Sequence, residues 1–440
     1  MDTLKAIAMD DFGSGIVVKD KREYHIPNLL PGETAEIRLF HAGKGKVARL
    51  LETIPERIKP VCPWFNECGG CQLQHIPYSK QLEIKTGHIK NLMEAAGLNQ
   101  NLCLPCIGMK EPYHYRNKAQ MVISEKNRKV MAGFFEENTH QVVNVDHCPI
   151  QNNQANAIIK TCRTLFQKQK IQPYDEDRDF GLIRYVLVRT GYETGQILVI
   201  IVTAREMFPG RNNFIKALRE AHPEVTSIVQ NVNPRHTSIV LGDFERVLYG
   251  KGSIEDLLLG KRFLISARTF FQINHKQTEI MYKKALELAK PKPDDIIVEL
   301  YSGVGAIGII FSGHVKKVIG VELNRESVKN AMQNVRMNQV RNVKFYAADA
   351  KNFLSDYLAQ GEKAGIMIVD PPREGLDTAV IEAIIALKPE KLCYLSCNPE
   401  TLIRDLRRLV DADYEFRQVQ PIDMFPQTSH VESVVMLVRK

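Results

Sequence analysis

The sequence predicts an α/β protein with a doubly wound sheet in its C-terminal third, a β-rich central region and a small N-terminal β-barrel. Three observations carry this reading. From residue 296 onward short apolar strands alternate with helical stretches, as in a parallel sheet with crossover helices. The first of these strands runs into Gly303-Val304-Gly305-Ala306-Ile307-Gly308, a glycine turn that opens a helix. Residues 1–60 break into brief β-prone runs divided by turns. At 440 residues the chain suits about three domains, divided as 1–60, 61–270 and 271–440.

In the first segment, residues 16–18, 35–39 and 46–50 are the β-prone runs. Gly13-Ser14-Gly15, Leu30-Pro31-Gly32-Glu33 and Gly43-Lys44-Gly45 supply the turns. Small barrels of this kind commonly hold single-stranded nucleic acid, or serve only as packing. Asp2, Asp10 and Asp11 and the lack of a long apolar run exclude a signal peptide. The apolar stretches, such as residues 197–202, are too short for a membrane span. Nine cysteines without a secretory signal point to a reducing cytoplasm, where clustered thiols bind metal or do chemistry. The net charge is +8, and residues 61–270 carry +6 of it. That concentration suits a polyanionic partner.

Three thiols follow in Cys62-Pro63-Trp64-Phe65-Asn66-Glu67-Cys68-Gly69-Gly70-Cys71, with five and then two residues between them. The double glycine lets the backbone wrap tightly. Cys148, in Asp146-His147-Cys148-Pro149, is the candidate fourth ligand. Four thiolates suit a [4Fe-4S] cluster or a structural zinc, and the uneven spacing favours iron–sulfur. Cys103-Leu104-Pro105-Cys106 is another possible source of the fourth thiol, or a buried pair of small apolar residues. Residues 107–263 read as mostly β: 183–189 and 196–202 flank a Gly191–Gly195 turn, and 225–232 and 238–241 are further strands. Tyr113-His114-Tyr115-Arg116-Asn117-Lys118 sets rings beside cations, a pattern for unpaired RNA bases or for an ordinary exposed edge.

In the last third, His275–Ala289 is a helix stopped by Lys290-Pro291-Lys292-Pro293. Strands are expected at Ile296–Leu300, at 318–321 leading to Glu322, at Val343–Ala347 leading to Asp349, and at Ile366–Val369 leading to Asp370-Pro371-Pro372-Arg373. Residues 391–396 lead to Cys397, and 433–438 close the sheet. Gly303, Gly305 and Gly308 followed by Glu322 fit either a nicotinamide dinucleotide or S-adenosylmethionine, since both use an acid on ribose hydroxyls. The rigid Asp370-Pro371-Pro372 turn, and the lack of a catalytic domain after the glycine fold, decide for the methyl donor. Cys397 lies just past a strand end and just before a helix capped by Asn398, with Pro399 in its first turn. The helix dipole there should favour the thiolate and make Cys397 a nucleophile rather than a structural cysteine.

On these residues the sequence resembles the bacterial RNA uracil-C5 methyltransferases, in particular the 23S ribosomal RNA branch with a TRAM barrel and an iron–sulfur cluster. The likeness runs from Leu30-Pro31-Gly32-Glu33 through Cys62…Cys68-Gly69-Gly70-Cys71-Gln72-Leu73-Gln74-His75 and His147-Cys148-Pro149. It continues through Phe271-Gln272-Ile273-Asn274, Leu300-Tyr301-Ser302-Gly303-Val304-Gly305, Asp370-Pro371-Pro372-Arg373, Ser396-Cys397-Asn398-Pro399 and His430-Val431-Glu432. It implies a Rossmann-like class I methyltransferase domain, and a [4Fe-4S] cluster on Cys62, Cys68, Cys71 and Cys148. It also implies an S-adenosylmethionine site lined by Gln272, Tyr301, Glu322 and Asp370, with Cys397 as nucleophile and Glu432 as base. The implied partner is ribosomal RNA, at an unpaired or flipped-out uridine, met by a monomer in the cytoplasm. Transfer RNA is the alternative substrate, and a non-catalytic RNA-binding protein on this fold the alternative class. Cys103 and Cys106 fall outside the family's pattern.

Overall fold

The computed structural model describes all residues except 137, 138, 140 and 238. Residues 2–52 form two three-stranded antiparallel sheets. Asp2–Lys5, Thr34–Leu39 and Gly45–Glu52 make one; Ala8–Met9, Gly15–Lys19 and Arg22–Ile26 make the other. They close over a small core of Ala6, Val17, Ile26, Leu29, Ala35 and Ile37. The Leu30-Pro31-Gly32-Glu33 turn has a direct physical reason. Gly32 takes φ +90°, and the fully buried Glu33 carboxylate accepts the Leu30 N–H at 2.8 Å. Burial alone would raise the Glu33 pKa, but Arg57 at 2.6 Å and the Leu30 N–H hold it below its ordinary value.

The central sheet has seven strands in the order Phe244–Tyr249, Val225–Val232, Ile197–Thr203, Ile183–Thr190, Lys118–Lys126, Lys129–Phe135 and Val142–Asn144. The expected hairpin around Gly191 is present, pairing Thr190 with Ile197. This region is less purely β than its sequence suggests. Helices Asn153–Lys168 and Arg211–Ala221 contribute Ile158, Ile159, Phe166, Phe214 and Leu218 to its core. The strand expected at 238–241 is absent: Ser238 lies outside the described residues, Ile239 to Leu241 are irregular, and the edge strand begins at Phe244.

The third sheet is the doubly wound one. Its order is Val343–Ala347, Lys317–Glu322, Ile296–Leu300, Ile366–Val369, Lys391–Ser396, Glu432–Arg439 and Tyr414–Ile422. The first five are parallel, and the last two are antiparallel. Strand order reverses between Ile296–Leu300 and Ile366–Val369, and ligands of such sheets bind in the crevice beyond that point. The strand at the C-terminus does not close the sheet as expected. It is inserted inside it, and Tyr414–Ile422 forms the edge.

That edge is covered. Cys103 and Ile107 bridge Val419 and Ile422 in parallel, and Leu104 N–H and Ile107 N–H donate to Val419 O and Pro421 O, each at 3.0 Å. Cys103 and Cys106 are buried in this cover and belong to a core shared with the doubly wound sheet. Covering an edge strand removes a site for unwanted pairing. Helix Tyr78–Ala95 packs on the same sheet through Ile89 and Met93. Among the described residues no helix is long and apolar enough to cross a membrane.

Candidate active site

Three strand ends stand side by side at the C-terminal edge of the doubly wound sheet. Ile366–Val369 ends at Asp370, with Val369 paired to Tyr394 on the next strand. That strand pairs Ser396 with Ser433. One step outward, Cys397 and Glu432 are therefore neighbours across an antiparallel pair. The turn after Cys397 is fixed from two sides. The Asn398 side-chain oxygen accepts the Glu400 N–H at 3.1 Å, capping helix Pro399–Asp411. The Asn398 amide nitrogen and the Thr401 hydroxyl both donate to Arg373 O, at 2.9 and 3.1 Å. The Asp370-Pro371-Pro372-Arg373 turn and the Cys397 turn thus form one unit.

Cys397 departs from the expectation set by its place before a helix. Burial, then the carboxylates of Glu432 and Asp370, push its thiol up to about 11, against Arg373 and a backbone hydrogen bond. Adjacent negative charge and lost solvation outweigh the partial charge of a helix N-terminus. Glu432 is 4% exposed; burial and Asp370 raise its carboxyl well above the ordinary range, against Arg373. Burial lifts Asp370 itself to about 7.

The glycine turn lies across the switch point from these groups. Tyr301 holds φ +60°, uncommon for a residue with a Cβ, and Gly305 takes φ +78°. The Glu322 carboxylate accepts the Gly303 N–H at 2.9 Å and the Asn324 N–H at 2.8 Å, and so ties its strand end to the turn. A Cβ on Gly303 would meet nothing within 4 Å, so the turn's outer face is open. Gln272 lies in the segment before helix His275–Ala289. Its carbonyl accepts the Asn117 side-chain amide at 3.0 Å, and its side chain bonds Tyr282. Tyr282 is buried, its hydroxyl raised by burial and by Asp370, Glu299 and Glu432.

Glu299 is a member of this site that sequence reading missed. The available signal was an acid inside the apolar run Ile296-Ile297-Val298-Glu299-Leu300. It is 2% exposed, and burial, then Asp370, lift it to about 8 against the Gly308 N–H. Its Oε2 and the Ser302 hydroxyl are buried without a protein partner. Glu299, Glu322, Asp370 and Glu432 thus gather acids around one crevice with polar atoms left to satisfy. Such a site suits a ligand that brings positive charge and hydroxyls.

A second site lies in the central region. Cys62, Cys68, Cys71 and Cys148 line a cavity of about 340 Å³ together with Gln74, Arg116 and Lys118. Gly70 leaves room there: a Cβ at that position would lie 3.3 Å from Cys68 Sγ. Burial pushes Cys71 up to about 12 and Cys148 up to about 11, and neighbouring thiols add to both shifts. Among the described residues no group of three or more His, Cys, Asp or Glu side chains is arranged to hold a metal ion. The Tyr113–Lys118 stretch is less open than its sequence suggests. Tyr115 is buried and donates to Pro426 O at 3.0 Å, and burial takes Lys118 down to about 8.

The family model described as tRNA (uracil-5-)-methyltransferase matches residues 77–440. An RNA methyltransferase of Halalkalibacterium halodurans, itself uncharacterised, is 40% identical over 433 residues, spanning 97% of this chain and 94% of that protein. An RNA methyltransferase of Oceanobacillus iheyensis is 41% identical over 434 residues with the same coverage. Among solved structures, the tRNA (uracil-54, C5)-methyltransferase of Pyrococcus abyssi in complex with S-adenosyl-L-homocysteine superposes with a TM-score of 0.79. It is 27% identical and covers 99% of this chain and 100% of that one.

Proposed function

Since this chain belongs to the tRNA (uracil-5-)-methyltransferase family of RNA-modifying enzymes, we propose that it methylates C5 of a uridine in 23S ribosomal RNA. Cys397 is the nucleophile in this reading and Glu432 the base. The observation that carries it is the register that makes Cys397 and Glu432 neighbours beside Asp370.

Uracil C5 is too weak a nucleophile to take a methyl group unaided. The Cys397 sulfur adds to C6, and the C5–C6 electron pair moves into an enolate that is nucleophilic at C5. S-adenosylmethionine supplies the electrophilic methyl group on a cationic sulfonium. Gln272, Tyr301, Glu322 and Asp370 hold that molecule, and Glu299 adds a compensating carboxylate. Once C5 carries its methyl, the Glu432 carboxylate removes the C5 proton. The C–H electrons restore the C5–C6 double bond and expel the Cys397 thiolate. The target base must be unpaired or flipped out to meet the thiol.

The electrostatics of the pair suit this order of events. A thiolate at Cys397 and a carboxylate at Glu432 oppose each other's ionisation. Adding to C6 passes the Cys397 charge to the enolate, and transfer of the methyl from the sulfonium neutralises it. Glu432 can then release its proton to solvent and ionise when a base is needed. When Glu432 accepts the C5 proton it becomes neutral, and the thiolate can leave. Thiolate and carboxylate are thus needed at different stages, and the proton that Glu432 releases is the net proton of the reaction.

The four-cysteine cavity is assigned to a [4Fe-4S] cluster. The four thiols line one cavity, and their uneven spacing along the chain favours iron–sulfur over zinc. Arg116 and Lys118 on the same wall would balance an anionic cluster. The cluster would staple the central region and takes no part in the steps above. Residues 1–60 are assigned as a TRAM barrel, 61–270 as the cluster and RNA-binding region, and 271–440 as the methyltransferase domain, acting as a cytoplasmic monomer.

Transfer RNA is the second reading, favoured by the family's description and by the substrate of the Pyrococcus abyssi enzyme. Mapping 5-methyluridine in ribosomal and transfer RNA, from cells with and without the gene, tests both. Loss of the modification from 23S RNA alone is the expected result; loss from transfer RNA alone overturns the ribosomal assignment.

A further inference from the structure

Glu432 is delivered by the segment 423–431, which joins strand Tyr414–Ile422 to strand Glu432–Arg439. Adjacent antiparallel strands need only two to five residues or so between them. This connection is longer, and its anchors come from distant parts of the chain. At its start Asp423 is fully buried; it accepts from Lys85 at 2.6 Å and from the Tyr78 hydroxyl at 2.7 Å. Lys85 also donates to Phe425 O at 3.1 Å, and the Asn274 side chain to Met424 O at 3.0 Å.

The most constrained residue is Gln427, which is 2% exposed and holds φ +73°. That conformation is unfavourable for a residue with a Cβ and persists only where the surroundings impose it. Three groups impose it. Gln81 forms a reciprocal amide pair with it: Gln81 Nε2 donates to Gln427 Oε1 at 3.0 Å, and Gln427 N–H donates to Gln81 Oε1 at 3.2 Å. Gln72 N–H and Leu73 N–H both donate to Gln427 O, at 3.1 and 3.0 Å. Gln81 is itself locked by donating to Leu73 O at 3.0 Å and Ile76 O at 2.9 Å.

We propose that Gln427, through its pair with Gln81, is a positioning residue that holds Glu432 in register with Cys397. The proposal rests on the reading of Glu432 as the base. A buried and fully satisfied polar network fixes one arrangement rather than many. A strained residue five positions before the base is where such fixing serves proton removal rather than general stability. The backbone donors at Gln72 and Leu73 follow directly on Cys71. The wall of the cysteine cavity is therefore the third support of the same loop.

The test compares Gln427→Ala, Gln81→Met and Glu432→Gln with the native enzyme, using an RNA fragment containing the mapped uridine. Gln427→Ala should keep the RNA KM and the S-adenosylmethionine Kd within about twofold while kcat falls on the order of 10²-fold, the scale of a misplaced catalytic group. Methylated covalent protein–RNA adduct should build up, as is expected of Glu432→Gln. Gln81→Met keeps the side-chain volume, breaks the same pair from outside the loop, and should give the same adduct. The double variant should be no worse than either single one. Hydrogen exchange in residues 424–432 should quicken in both. Normal turnover in both Gln variants beside a stalled Glu432→Gln overturns the positioning role and leaves the base assignment intact. Normal turnover in Glu432→Gln removes the base assignment instead. Loss of kcat without adduct, with folded protein, marks Gln427 as merely structural and also overturns the proposal.

Discussion

Ser396 pairs with Ser433 across the antiparallel contact between Lys391–Ser396 and Glu432–Arg439. That single pairing sets the thiol and the carboxyl of the adjoining residues beside each other. In Cys397→Ala, neither methyl transfer nor covalent adduct should appear. In Glu432→Gln, addition and methylation should proceed while elimination stalls, leaving a methylated adduct stable to denaturing electrophoresis. RNA with 5-fluorouridine should trap the native enzyme likewise, since fluorine does not leave as a proton does. An adduct formed by Cys397→Ala would place the nucleophile elsewhere.

Ligand affinity should depend on pH through the buried acids. In the folded protein without ligand, Glu299 is raised from 4.5 to about 8 and Asp370 from 3.8 to about 7. Raised carboxyl pKa values stabilise the folded state fully below the unfolded values, and this stabilisation is lost as pH rises through the folded ones. The unliganded Tm should therefore decline between about pH 5 and pH 8.5. S-adenosylmethionine, a cation, binds best when the acids are charged. Its affinity should rise over the same interval, by up to about tenfold per pH unit for each proton released. Isothermal titration at pH 6 and pH 8.5 measures this, and Glu299→Gln should flatten the trend. An affinity that falls with pH would show that these acids do not face the ligand.

Two neighbouring glycines should respond differently to alanine. At Gly305, φ is +78° and a Cβ would lie 2.3 Å from Phe345 Cζ. Gly303 has φ +53° and no atom within 4 Å of a Cβ. Gly305→Ala combines backbone strain with a clash and should cost about 2–4 kcal/mol of stability, with loss of cofactor binding. Gly303→Ala carries the strain alone, about 1–2 kcal/mol. Chemical denaturation of both variants gives the comparison, and equal losses would discount the Phe345 contact.

Protein purified without oxygen should be brown, with about four iron and four sulfide per chain. Cys71→Ser should lose the colour and lower the Tm. Stoichiometric zinc with no visible absorption would replace the cluster with a structural zinc. A colourless Cys71→Ser variant with unchanged Tm would remove the stapling role.

How much of this was legible follows from the range of the interactions involved. The strand–turn–helix around Gly303 and the cap at Asn398 are local patterns, and the structure reproduces them. Cys397 is legible because it sits between a strand end and a helix cap that a sequence marks, whereas Glu432 is named through the family resemblance. The charge state of Cys397 is not legible locally, because its shift comes first from burial and then from Glu432 and Asp370, which reach it only through the fold. Glu299 read as one acid in an apolar strand until the fold set it beside Asp370. The strand Tyr414–Ile422 escaped notice for a related reason: its alternating Tyr414-Glu415-Phe416-Arg417 start is an edge pattern, while the buried run at 433–438 resembled a terminus of the sheet. The role of Gln427 needed helix Tyr78–Ala95 from the far end of the chain.

The placement of Glu432–Arg439 also bears on when activity can begin. Both strands that flank it, Lys391–Ser396 and Tyr414–Ile422, precede it in the chain. During synthesis the sheet must therefore wait for its last strand to slot into a gap already bounded on both sides. Until then the thiol lacks Glu432 beside it, and the buried face of Tyr394, Val419 and Ile422 lacks its partner. The meeting of Cys397 with Glu432 thus waits on the insertion of this strand between two that precede it in the chain.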